Sequence, residues 1–172
     1  MHDPNGVDAT SSIQHFYDKL LRLKDLMNTE TGKQMAIHRD AYLREFLEEF
    51  YAEISSCNAE KTMVFLDACY SGVGRGIIIR PKDTPIDGNM IVMTATSSTQ
   101  RSMPYHDKSH GLFTYYLLKT LKDSQPGVSI SDLFKEVSAS VRMKSVLINN
   151  SEQTPELLNG TGISQGWESW TF

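Results

Sequence analysis

Apolar residues recur along this chain in two rhythms, one helical and one strand-like, and they divide it into alternating elements. Ile13, Phe16, Tyr17, Leu20, Leu21 and Leu23 fall near a 3.6-residue period behind Ser11 or Ser12, either of which can cap a helix. Asn28-Thr29-Glu30-Thr31-Gly32 breaks that pattern. A second amphipathic helix is predicted over 37–55, with Tyr42, Leu43, Phe46, Leu47, Phe50 and Ile54 on one face. A strand over 62–66 follows, then a loop over 72–88 rich in Gly and Pro, then a strand over 90–95. The polar stretch 96–109 predicts a loop, 111–121 a helix, and Ser129 or Ser131 the cap of a further helix running to about Val141. Val146-Leu147-Ile148 reads as a last short strand. Helices alternating with strands imply an α/β fold with a parallel or mostly parallel sheet. His15–Leu20 and Glu49–Ile54 look alike, and one such pair indicates two similar helices rather than a repeat protein.

The run Thr62-Met63-Val64-Phe65-Leu66-Asp67-Ala68-Cys69-Tyr70-Ser71-Gly72 carries the chemistry. It reads as a buried strand that stops close to a cysteine. Ligands of open α/β sheets bind beyond the carboxyl ends of the strands, so Cys69 would face a crevice. The alternative is a small buried hydrophobe, because free cysteine is among the most buried residue types. Side chains alternate along extended backbone, so Asp67 and Cys69 project to the same side.

Asp67-Ala68-Cys69-Tyr70-Ser71-Gly72 resembles the nucleophile motif of caspase-like cysteine peptidases, in particular the metacaspase and bacterial branch. Three further segments agree in the same order. Met90-Ile91-Val92-Met93-Thr94-Ala95-Thr96-Ser97-Ser98 is similar to the family's next strand and loop. Ser109-His110-Gly111-Leu112-Phe113-Thr114-Tyr115-Tyr116-Leu117-Leu118-Lys119 is similar to its following helix, and Gln153-Thr154-Pro155-Glu156-Leu157 to its closing segment. The resemblance implies a caspase-like three-layer sandwich, a single domain over 1–172 with a helical part at 13–55 and a motif-bearing core at 61–158. It implies Cys69 as nucleophile of an endopeptidase. Asp67 then becomes a substrate-binding carboxylate that favours Arg or Lys on the acyl side of the scissile bond, and Ser97 a residue lining the cleft. The alternatives are a helix-capping or loop-bridging carboxylate for Asp67 and a turn-capping serine for Ser97. Protein or peptide substrates with Arg or Lys at the cleavage site are the expected partners.

The histidine departs from the family pattern. Caspase-like enzymes place it roughly 50 residues before the cysteine, in a loop after an apolar strand and followed by Gly. His2, His15, His38 and His106 lack that context, and His110, although followed by Gly111, comes after the cysteine. The expectation is that the N-terminal strands and the histidine loop are missing from this chain. A chain supplying them, or self-association through an open sheet edge, would then complete the fold. The helix over 37–55 is the other candidate to cover that edge. Two rival readings stay open: a non-catalytic caspase-like interaction or regulatory module, and a thiol-sensing α/β domain.

Composition narrows the field. The chain has 172 residues, 40% of them hydrophobic, which suits one domain with a real core. A net charge of −4 gives no reason to expect nucleic acid or an acidic membrane as partner. No apolar stretch is long enough to span a bilayer, and Met1-His2-Asp3-Pro4-Asn5-Gly6 lacks the features of a secretion signal. Cys57 and Cys69, the only cysteines, form neither a CxxC pair nor a zinc set, so a reducing cytoplasm is expected. No Asp/Asn-rich loop has calcium-ligand spacing, and no metal or cofactor is assigned. Arg75, Arg80 and Lys82 are candidate self-cleavage sites in the loop after Cys69. Trp167, Trp170 and Phe172 read as a packing anchor.

Overall fold

The computed structural model describes Asp18, Leu21 and residues 36–57, 59–67, 85–97, 100–163 and 165–171, with side chains in the first of these stretches from Glu45 onward. The elements in chain order are α1 (Ala36–Ser56), β1 (Thr62–Leu66), β2 (Met90–Thr94), β3 (Pro104–Tyr105), a 3-10 turn (His106–Lys108) and β4 (His110–Gly111). They continue with α2 (Leu112–Asp123), α3 (Ile130–Asn149), β5 (Glu156–Asn159) and a second 3-10 turn, Trp167–Ser169. Cys69, the loop bearing Arg75, Arg80 and Lys82, the helix expected from Ile13 (save Asp18 and Leu21), and Phe172 lie outside the described residues.

β2 sits at the centre of a three-stranded sheet ordered β1-β2-β5. β1 runs parallel to it, with Thr62 beside Met90 and Leu66 beside Thr94. β5 runs antiparallel, with Glu156 beside Thr94. The α/β class is as the pattern predicts, but the sheet is mixed: the closing segment enters from the opposite end. β2 reads as a continuous apolar run because it is buried on both faces, whereas β1 is buried fully only at Val64.

The period-2 alternation of β2 feeds two cores. Met90 and Val92 join Val64, Ile86, Leu47 and Tyr51 on the α1 side, with Leu66 and Leu158 packed against them. Met93 and Ala95 join Leu112, Phe113, Leu117, Leu133, Val137 and Val141 on the α2–α3 side, with Phe65 and Leu157 against them. Side chains of both flanking strands thus divide between the faces, and the sheet is sandwiched by helices as the resemblance implies. Each fully buried large side chain in these clusters contributes about 1.5–3 kcal/mol relative to exposure. Tyr51 is 1% exposed, and its hydroxyl has no hydrogen-bond partner among the described residues. Burial pushes its pKa up to about 12.

One expected strand is corrected. Val146-Leu147-Ile148 belongs to α3, which extends through Asn149. The buried positions Leu133, Val137, Val141 and Ser145 repeat every four residues, and that helical register overrides the local β-branched composition. Ser129 is the N-cap, its hydroxyl accepting from the Asp132 N–H at 3.1 Å. Asn150 ends the helix in the left-handed conformation at φ 50°. The last strand comes later, at Glu156–Asn159.

Beyond β5 the chain packs closely on the entry to β2. Gly160 N–H donates to Met90 O at 2.7 Å and Gly162 N–H to Gly88 O at 3.1 Å. A Cβ on Gly160 would lie 2.5 Å from the Gly88 carbonyl oxygen. Further on, Trp170 O accepts from Ile130 N–H at 2.7 Å, and Lys61 Nζ lies 5.6 Å from its ring centre. This tail therefore ties the start of α3 to the start of β1.

Gly160→Ala should force these two backbones apart and lower stability by about 1–3 kcal/mol, read as a lower urea midpoint. An unchanged midpoint would show that the contact yields without cost.

Candidate functional site

The carboxyl ends of the parallel pair β1 and β2 meet at one edge of the molecule. Ala95 N–H donates to Leu66 O at 2.9 Å, which extends the pairing with the last residue of β1 one residue past β2. Asp67 follows at once on β1, and Ser97 lies two residues beyond Ala95 on the neighbouring segment. Both candidate substrate-binding residues therefore stand at the strand ends where open α/β sheets place their ligands. Ser97 O accepts from Gln100 N–H at 3.1 Å.

Asp67 is half-buried, and among the bonds of its carboxylate are three accepted from two separate described segments. Ser102 Oγ donates to Oδ1 at 2.6 Å. Thr114 Oγ1 donates to Oδ2 at 2.6 Å, and Thr114 N–H donates to the same oxygen at 3.1 Å. The last bond has a local cause. α2 begins after Gly111, which has no side chain with which to cap it. The first amides of any helix lack intrahelical partners, and Thr114 is the third residue of this one. The carboxylate at the end of β1 fills the capping role from a different element, and the partial positive charge at the helix start favours a negative group there.

The segment bearing Ser102 is itself held rigidly. Gln153 is fully buried, and its side chain bridges two backbones. Its Oε1 accepts from Met103 N–H at 2.9 Å, and its Nε2 donates to Ala95 O at 3.0 Å. Gln153 N–H donates to Ser145 Oγ at 3.0 Å, which joins this segment to α3. One residue on, Thr154 N–H donates to Gln100 Oε1 at 2.6 Å, and Gln100 Nε2 donates to Thr154 Oγ1 at 3.1 Å. The strip 95–103 is thereby fastened at both ends to the segment entering β5. Ser102, Thr114, Gln100 and Gln153 were not among the residues singled out from sequence. A carboxylate at a strand end and a later helix with glycine at its start are the signal that could have paired Asp67 with α2.

Neither of the two histidines with described side chains takes part in the hydrogen bonds among Asp67, Ser102 and Thr114. His106 lies in the 3-10 turn and His110 on β4, both exposed. Ser109 between them is left-handed at φ 56°. Tyr105, Tyr115 and Tyr116 pack ring against ring beside them, with centroids 4.9–6.4 Å apart. Among the described residues no group of His, Cys, Asp or Glu is placed to hold a metal ion, and no helix is long and apolar enough to cross a membrane.

Asp67→Ala should leave the Thr114 amide and the Ser102 hydroxyl without their acceptor and cost about 1–3 kcal/mol in urea unfolding. Asp67→Asn keeps an acceptor oxygen for Thr114 and an amide that can donate to Ser102, so its loss should be less than half as large. Equal losses would mean that the charge, not the hydrogen-bond geometry, holds the segments together.

The sequence that carries Asp67 at the end of β1 is similar to known proteins. A 53-residue stretch is 40% identical to the uncharacterized protein YpgQ of Bacillus subtilis, a match that takes in 31% of this chain and 26% of that protein. The broader likeness is to a family model: residues 15–161 match Peptidase_C14, the caspase domain, and the chain belongs to that family.

Proposed function

We propose that this protein is a cysteine endopeptidase that cleaves after Arg or Lys. Membership of the caspase-domain family supports a cysteine peptidase, and the finer reading rests on one observation. The carboxylate of Asp67, two residues before Cys69, is fixed at the carboxyl end of β1 by three donors. An anionic group held there attracts a cationic side chain on the acyl side of the scissile bond and repels an acidic one.

In this reading the Cys69 thiolate attacks the carbonyl carbon of the residue whose side chain Asp67 holds. The carbonyl electron pair moves to oxygen, then re-forms the double bond as the C–N bond breaks. The amine leaves with the proton that the Cys69 thiol gave up to its activating base on forming the thiolate, and the acyl group stays on sulfur as a thioester. Water attacks the thioester, the acid departs, and the thiol is regenerated. A free thiol has a pKa of about 8.5, so a neighbouring base or positive field is required to raise the thiolate fraction. Backbone N–H groups at the strand-to-loop turn would carry the oxyanion, each such donor being worth on the order of 3 kcal/mol in other proteases.

The second reading is a non-catalytic interaction module with a caspase-like fold. It is favoured by the histidines: none has the family's sequence context, and both described histidine side chains sit exposed in short elements.

A fluorogenic peptide with Arg before the scissile bond should be turned over, its Asp counterpart should not, and Cys69→Ala should abolish the reaction. Equal turnover of the two peptides would reject the role of Asp67. No turnover, together with no labelling of Cys69 by an arginyl electrophile, would favour the non-catalytic module.

A further inference from the structure

We infer that Ser102 and Thr114 are recognition residues, whose hydroxyl oxygens accept N–H bonds from the basic side chain that Asp67 attracts. This rests on the proposed cleavage after Arg or Lys and adds two contacts to it. A hydroxyl has one proton and two lone pairs. Ser102 Oγ directs its proton to Asp67 Oδ1 at 2.6 Å, and Thr114 Oγ1 directs its own to Oδ2 at 2.6 Å. With both protons committed to the carboxylate, any further bond these oxygens form must be one they accept. Together with the carboxylate they make a cluster that offers lone pairs only.

Such a cluster selects by hydrogen-bond type as well as by charge. Guanidinium and ammonium groups are donors without acceptors, five N–H bonds in the first and three in the second. A carboxylate brings only acceptors and would meet lone pair against lone pair. A neutral amide satisfies the cluster with its NH2 but places its oxygen among acceptors too. Each hydroxyl lies 2.6 Å from a carboxylate oxygen, Ser102 beside Oδ1 and Thr114 beside Oδ2, so both stand next to the group that would attract the basic side chain.

The cluster is also fixed before any substrate arrives. A threonine inside a helix commonly turns its hydroxyl to a carbonyl one turn back, whereas Thr114 turns it to Asp67. Ser102 is 6% exposed, on the strip that Gln100 and Gln153 fasten to the segment before β5. Little side-chain entropy remains to be lost on binding, which favours affinity.

The test uses N-acetyl-arginine methylamide and its uncharged isostere, N-acetyl-citrulline methylamide, titrated calorimetrically into the full chain. The wild type should bind the arginine probe more tightly than the citrulline probe. Ser102→Ala and Thr114→Val should each weaken the arginine probe roughly tenfold and narrow the difference between the probes, and Thr114→Ser should restore it. A purely structural role would lower the melting temperature of the variants and leave the ratio of the two affinities unchanged. That unchanged ratio, or a wild type that does not distinguish the probes, overturns the inference. If the probes behave as expected while the Arg peptide is not cleaved, the peptidase reading fails and the recognition cluster stands. If the Arg peptide is cleaved and the ratio is unchanged in the variants, the reverse holds.

Discussion

The carboxylate of Asp67 is the point at which the sheet, the strip after β2 and the start of α2 are joined. A strand end, a loop and a helix N-terminus each leave polar backbone or hydroxyl groups to satisfy, and one side chain takes three of their donors. Without it the first turn of α2 has no side-chain cap, because Gly111 offers none. The helix in turn carries Phe113 and Leu117 into the core beneath β2. Folding and the proposed chemistry thus depend on the same group, which stands two residues before the proposed nucleophile.

Asp67 both caps the start of α2 and bridges to Ser102 in the segment after β2. The donors hold it in one orientation, and charge-assisted bonds of this kind are stronger than neutral ones. A preset carboxylate is what the proposed recognition of a cationic side chain would use.

The parts of this architecture that depend on local pattern were legible in the sequence. β1 is found over the residues the apolar run marks out, β2 ends one residue earlier than expected, and α1 extends one residue beyond the predicted helix at each end. Ser129 caps α3 as the hydroxyl–helix rule suggests. What failed depended on tertiary context. Val146–Ile148 looks like a strand by composition, but the four-residue rhythm from Leu133 to Ser145 holds it in a helix. β5 contains only Leu157 and Leu158 as apolar residues, one for each face, and its antiparallel course cannot be read from alternation. The partners of Asp67 lie 35 and 47 residues away, and no local spacing announces them. Gln153 was quoted only as part of a family motif, and its burial between Met103 and Ala95 explains why a polar residue suits that position.

Asp67 holds the start of α2, and amide hydrogen exchange at Thr114 measures this directly. Thr114 is the third residue of the helix, where an uncapped amide would exchange nearly as fast as an unstructured one. In the wild type its N–H should be protected to a degree comparable with the helix interior, and Asp67→Ala should remove that protection while leaving that of Leu117 largely in place. A Thr114 amide that exchanges freely in the wild type would contradict the account.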